Sequence, residues 1–269
     1  MQAQSAAWQR LRIQAGGQAP LLSAPPPAAA GVCGSCRTPV RPGRTHCFRC
    51  DQYRECLPGL LPDVVAPVAY AAKGGHHATN LWVYKSDGPG AEAACTALRA
   101  LLLVFLRDHG RCVWRRAGVP GPSHVAVVPS CRGRPGTHPL QAMAAPYLSL
   151  PWVRWVRPSD ADGPAPLDPD PRRFCPERIA GASVLLLDDT WTSGASATSA
   201  AAALRLAGAR AVAVVVLGRH LDAPVPAMPY RSQLCAVHET RPQSIGLRRG
   251  APGSPVTYSA GTAGPPDLP

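Results

Sequence analysis

The sequence predicts an α/β protein with a parallel sheet, preceded by a small cysteine-rich module. Three observations carry that expectation. Between residues 120 and 220, short apolar runs without polar alternation are separated by helix-like segments, the pattern of parallel strands buried on both faces. Five of the ten cysteines fall within residues 32–56. One apolar run ends in two aspartates and opens into a small-residue turn and an alanine-rich helix.

Taken in order, residues 1–31 are rich in Ala, Pro, Gln and Gly and are expected to be a disordered arm. Trp8, Leu11 and Ile13 suit one face of a short helix, but an isolated turn or two is marginal in water. Residues 32–59 hold the cysteine module, and residues 60–239 the α/β domain. Strands are predicted at Val64–Tyr70, His124–Val128, Trp152–Val156, Ser183–Leu187 and Ala211–Leu217. Helices are predicted at Pro139–Ala145, Ala195–Ala207 and Ala91–Asp108, the last through Ala94, Leu98, Leu101, Leu102 and Phe105. Residues 240–269 return to Pro, Gly and Ser and are expected to be a flexible tail.

The chain has 269 residues, 46% of them hydrophobic, enough for a sizeable core. Its 32 prolines and 25 glycines exceed the share of an ordinary domain, in keeping with an arm, a tail and long loops. The net charge of +12 suggests an anionic partner. However, only Lys73 and Lys85 are lysines, so 26 of the 28 basic residues are arginine. Arginine inflated together with alanine, proline and glycine also fits compositional drift. The excess is densest in residues 1–59, where seven arginines meet two acids.

No basic end followed by an apolar run opens the sequence, and the most apolar stretches, Leu101–Leu106 and Val212–Leu217, are too short to span a bilayer. The expectation is a cytoplasmic protein without a membrane span. In that compartment clustered cysteines bind metal or do chemistry more often than they form disulfides.

Cys33-x2-Cys36-x10-Cys47-x2-Cys50 reads as a pair of Cys-x-x-Cys hairpins. A two-residue gap lets both thiolates of a pair converge on one ion, and two pairs complete a tetrahedron. Four thiolates with no open position predict a structural zinc site; redox-active pairs are the alternative. His46 is a spare ligand, and Cys56 falls outside the spacing.

The sharpest motif is Val184–Leu185–Leu186–Leu187–Asp188–Asp189–Thr190–Trp191–Thr192–Ser193–Gly194–Ala195–Ser196. In open α/β sheets, ligands bind outside the carboxyl ends of the strands. A turn of consecutive backbone N–H groups and hydroxyls at a helix N-terminus suits a phosphate, which Gly194 lets approach closely. Paired carboxylates suit vicinal ribose hydroxyls, with a magnesium ion beside them for polyphosphate oxygens. A second loop, Ser130–Cys131–Arg132–Gly133, follows an earlier strand; Arg132 there either binds phosphate oxygens or is solvated. No Gly-x4-Gly-Lys-Ser/Thr string occurs, which excludes a P-loop hydrolase.

The acidic turn resembles the phosphoribosyl-pyrophosphate signature of type I phosphoribosyltransferases. By that resemblance Asp188 and Asp189 contact the ribose hydroxyls as the catalytic pair. Thr192, Ser193, Gly194, Ala195 and Ser196 hold the 5′-phosphate, and Ser130, Cys131, Arg132 and Gly133 form the pyrophosphate loop. Trp191 stands where a smaller aliphatic residue is expected.

A four-cysteine zinc module joined to such a domain is similar to the ComF family, whose bacterial members are linked to DNA uptake in competent cells. The likeness covers about residues 32–220, including the Tyr84–Lys85–Ser86–Asp87–Gly88 turn. In Gly136–Thr137–His138–Pro139–Leu140–Gln141, only the glutamine keeps the family's usual Arg-Gly-Phe-Asn-Gln pattern. The resemblance implies a type I phosphoribosyltransferase-like, Rossmann-type fold with a parallel sheet, behind a small four-cysteine zinc ribbon.

Two functions follow as expectations. One is a magnesium-dependent transferase that moves the phosphoribosyl group to an unidentified amine or nucleobase. The other is a non-catalytic phosphoribosyl-pyrophosphate-binding module that engages nucleic acid or a protein of the competence machinery. Lys85 is read as a solvated side chain, with leaving-group stabilisation as the alternative. His76 and His77 are read as loop residues.

Overall fold

In the computed structural model the described residues are 2–27, 31–130, 136–157, 167–222 and 228–229. The chain divides into two units, Met1–Glu239 and Thr240–Pro269, and all described residues lie in the first. The expected flexible tail lies outside them.

The core is a six-stranded, mostly parallel sheet in a mixed α/β arrangement compatible with a Rossmann-like fold. Its strands are β1 (Ser23–Ala24), β2 (Val64–Ala72), β3 (His124–Val127), β6 (Ser183–Trp191), β7 (Ala211–Leu221) and β8 (Met228–Pro229). They lie in the order β3-β6-β7-β2-β1-β8. Strands β3, β6, β7 and β2 run parallel, and β1 pairs antiparallel with β2 and β8. A short β4 (Trp155–Arg157) and β5 (Cys175–Pro176) make a separate antiparallel pair.

The central stretches of β2, β3, β6 and β7 are apolar because both faces are covered. On one face Leu185, Leu187, Val215 and Leu217 meet α3 (His76–Val83), α4 (Ala91–Arg116) and α5 (Pro139–Ala144). On the other, Val184, Leu186, Val212, Val214 and Val216 meet α6 (Ala195–Leu206) and the cysteine module. The small alanines of α6 let it lie close to the sheet: Ala197, Ala200, Ala201 and Ala202 are fully buried. Phe105, Leu98, Leu101 and Leu102 of α4 fill the opposite face, each contributing about 1.5–3 kcal/mol by burial.

Within residues 1–31, the described residues depart from expectation. Where the sequence suggests a disordered arm, Gln2–Gln18 form helix α1. Trp8, Leu11 and Ala15 make one stripe and pack against Ala100, Leu103 and Val104 of α4, while Ile13 stays exposed. The guanidinium of Arg107 stacks 4.5 Å from the Trp8 ring centroid, and Arg12 pairs with Asp108 at 2.8 Å. An isolated helix here would be marginal; α4 supplies the apolar surface that it lacks alone.

His76 and His77 are not loop residues either. They open α3, and the His77 ring, buried against the sheet, meets the Leu217 carbonyl at 2.9 Å. Burial pulls its pKa down to about 4, so it is neutral packing. Among the described residues, no helix is long and apolar enough to cross a membrane.

Candidate functional site

The cysteine module is built from one hairpin and one helix. Val32 bridges Pro39, and the Cys33 N–H donates to the Thr38 carbonyl, which bends the first pair into a tight knuckle. Arg37 closes it in a left-handed conformation (φ 63°), its guanidinium bonded to the carbonyls of Cys33 and Gly34. The second pair is not the expected hairpin. Cys47 is the N-cap of helix α2 (Phe48–Cys56), and Cys50 sits in its first turn. Cysteines three residues apart at a helix start share one face, so either turn type brings a pair of sulfurs together.

The four sulfurs of Cys33, Cys36, Cys47 and Cys50 lie within 4.8 Å of one another. The Cys36 to Cys47 separation is 3.8 Å, the edge of a tetrahedron with metal–sulfur bonds of about 2.3 Å. Hydrogen bonds from the other three thiols hold Cys33 below the ordinary thiol range, whereas Cys47 and Cys50 are pushed up, first by their bonds to Cys33. This cluster can hold a metal ion such as zinc.

The second candidate lies at the carboxyl end of β6. Strand β3 ends at Val127 opposite Leu187, whereas β6 runs on to Trp191, four residues beyond the predicted strand. Asp188 and Asp189 therefore sit on a strand that has lost one neighbour, beside the start of the loop after β3. Of that predicted loop, Ser130 is half-buried; Cys131, Arg132 and Gly133 lie outside the described residues.

The two acids have different surroundings. Asp189 accepts a hydrogen bond from the Tyr84 hydroxyl at 2.7 Å and pairs with Lys85 Nζ at 2.5 Å. Burial alone would raise its pKa; the Lys85 charge and bonds from Lys85 and Tyr84 outweigh it, so Asp189 is held below the usual range. Asp188 is pushed up to about 8, by burial first and by the Asp189 charge second. One acid is thus a fixed carboxylate. The other keeps its proton near neutrality unless a cation or hydrogen-bonding ligand arrives. Lys85 is not a free solvated side chain.

The turn after the acids is shaped by its backbone. Gly194 adopts φ 84° at the N-cap of α6. A Cβ there would lie 2.2 Å from the Trp191 ring, so packing as well as backbone conformation requires glycine. Thr192 is exposed, Ser193 and Ser196 are half-buried, and Gly194 and Ala195 are buried, so the predicted residues form one turn with its hydroxyl side open. Ser193 Oγ accepts from the Ala195 N–H at 3.2 Å. Trp191 is 2% exposed and packs in the core shared with the cysteine module, so its bulk fills the space behind the turn. A recess of about 120 Å³ also lies behind, lined by Arg37, Tyr53, Arg116 and Trp191 among others; neither acid lines it.

Sequence reasoning missed the residues that hold this turn. Arg219 of β7, 8% exposed, donates from Nη1 to the carbonyls of Trp191 (2.9 Å) and Thr192 (3.0 Å). The Tyr53 hydroxyl of α2 lies 2.8 Å from the Leu167 carbonyl and 3.2 Å from the Ser193 carbonyl and shares its one proton between them. An arginine inside an otherwise buried apolar strand is itself a sequence signal, since arginine is rarely buried without partners. Tyr53 carries no such signal. No protein-family model matches the chain, and no curated protein matches it.

Proposed function

We propose that the protein binds phosphoribosyl pyrophosphate with magnesium at the end of β6 and transfers the phosphoribosyl group to an amine or nucleobase, as the likeness to ComF-type phosphoribosyltransferases implies. The observation that carries this reading is the juxtaposition on one strand end of the paired acids and the Gly194 turn opening α6. The cysteine module is then a structural zinc centre of the ribbon type.

In this reading the 5′-phosphate sits against the N–H groups of Thr192–Ser196, where helix dipole and hydroxyls favour an anion. Asp188 and Asp189 face the ribose hydroxyls. Asp188, with its raised pKa, suits a cation that would take its proton's place. Magnesium, when bound, neutralises the polyphosphate oxygens. The nucleophile's nitrogen bonds to ribose C1, the C1–oxygen bond to pyrophosphate breaks with its electron pair, and the nucleophile loses a proton. The transition state is oxocarbenium-like, so the protein's work is positioning and charge neutralisation.

The test is calorimetric titration of phosphoribosyl pyrophosphate with magnesium, followed by a pyrophosphate-release assay across amines and bases. Saturable binding abolished by Asp188→Asn and Asp189→Asn is expected. No binding at millimolar ligand would overturn the reading; binding without turnover would leave the non-catalytic module.

A further inference from the structure

We infer that Tyr53 and Arg219 are positioning residues that hold the 191–194 turn from behind, making the cysteine module a strut of the anion site. This rests on the anion-binding reading of the turn and adds what keeps it in shape.

The carbonyls of three successive residues, Trp191, Thr192 and Ser193, are all taken by buried donors behind the turn. In a planar trans peptide the N–H points opposite the C=O. Fixing three carbonyls backward therefore presents the following amides forward, the geometry of an anion-binding nest. Without those donors the carbonyls would be buried unpaired or would rotate outward, where they repel an anion.

The two donors come from different parts of the fold. Arg219 is on β7, paired with Trp191 across the sheet. Tyr53 lies three residues after Cys50 on α2, one helical turn along the same face, and both are buried. A metal that fixes Cys47 and Cys50 fixes the start of α2 and with it the Tyr53 hydroxyl. The Leu167 carbonyl bonded to the same hydroxyl adds the 167–170 segment, whose Asp170 N–H donates to Ser199 of α6 at 2.8 Å.

The experiment uses the full zinc-loaded chain and reads two quantities, amide hydrogen exchange at Ala195 and Thr198 and affinity for phosphoribosyl pyrophosphate with magnesium. Tyr53→Phe keeps the ring and deletes the donor. It is expected to speed exchange at those amides about three- to tenfold and weaken binding by a similar factor. Zinc content and exchange elsewhere in β6 and β7 stay unchanged. Arg219→Lys is expected to retain more of both than Arg219→Gln. If Tyr53→Phe and Arg219→Gln leave exchange at these amides as in the wild type, the strut is overturned, as it is by an increase spread evenly over the sheet. If the wild type binds no phosphoribosyl pyrophosphate yet the variants loosen these amides locally, the ligand assignment falls and the strut stands.

Discussion

The cysteine module and the acidic turn gather chemistry in opposite ways. The module takes all four ligands from eighteen consecutive residues, Cys33 to Cys50, and their sulfurs converge through one knuckle and one helix start. The turn has its acids and hydroxyls in nine consecutive residues, Asp188 to Ser196, but its working state is set from far away. Lys85 and Tyr84 fix one acid across more than a hundred residues, and Arg219 and Tyr53 fix the backbone. A metal site dominated by one strong centre can be local. A site that presents backbone amides needs support from behind, and only tertiary structure supplies that.

The largest effect that would break this comparison is in the module. If the cluster holds zinc as proposed, Cys50→Ser is expected to lose it and to cost at least about 4 kcal/mol, because so small a module has little core of its own. For a domain of this size that is a fall in melting temperature of about 8–16 °C, measurable by thermal denaturation alongside metal analysis. A variant that keeps one equivalent of zinc and melts like the wild type would remove the module from the stability of the fold.

Gly194→Ala comes next. The left-handed backbone costs about 1–2 kcal/mol for any residue with a Cβ. The contact with the buried Trp191 ring adds to it, so about 2–4 kcal/mol is expected by urea denaturation. In a Trp191→Val background Gly194→Ala is expected to cost less than in the wild type, a coupling read from the double-mutant cycle. Equal cost in both backgrounds would place the strain in the backbone alone.

Smaller again is the pH effect of Asp188. Its folded pKa of about 8 lies above the ordinary 3.8, so the folded state holds a proton that the unfolded chain releases. That contribution is complete at pH below about 4 and is lost as pH rises through 8. Between pH 6 and 9 the wild type is expected to lose about 2–3 kcal/mol that Asp188→Asn does not lose. Denaturation at the two pH values in both proteins checks it; parallel losses would mean that Asp188 is already ionised at pH 6.

How much of this was legible in sequence follows the same division. The cysteine spacing named the four sulfurs that converge, and the run Val184–Asp189 named a strand with acids at its exit, because both signals are short-range. The periodic helix at Ala91 and the apolar strands were legible for the same reason. Helix α1 was not, because its stripe is completed by α4; nor was the role of Lys85, which is solvated or paired according to where the chain brings Asp189. The second cysteine pair was read as a hairpin because Cys-x-x-Cys spacing serves a turn and a helix start equally well.

The smallest prediction sharpens where the two regions join. Gln52 Nε2 donates to Asp168 at 2.9 Å, and Arg49 reaches the same carboxylate at 3.5 Å, so the exposed side of α2 also touches the 167–170 segment. Asp168 is largely exposed, and bonds that compete with water in this way contribute about 0–1 kcal/mol. Gln52→Ala is therefore expected to change stability by less than about 0.5 kcal/mol, with ligand affinity within twofold of the wild type, in contrast to Tyr53→Phe one residue along. Thermal melts and calorimetry of the two variants side by side separate the possibilities. If Gln52→Ala weakens binding as much as Tyr53→Phe does, the module supports the turn through the whole face of α2 and the 167–170 segment. If only Tyr53→Phe does, the support runs through the buried hydroxyl and the Ser193 carbonyl.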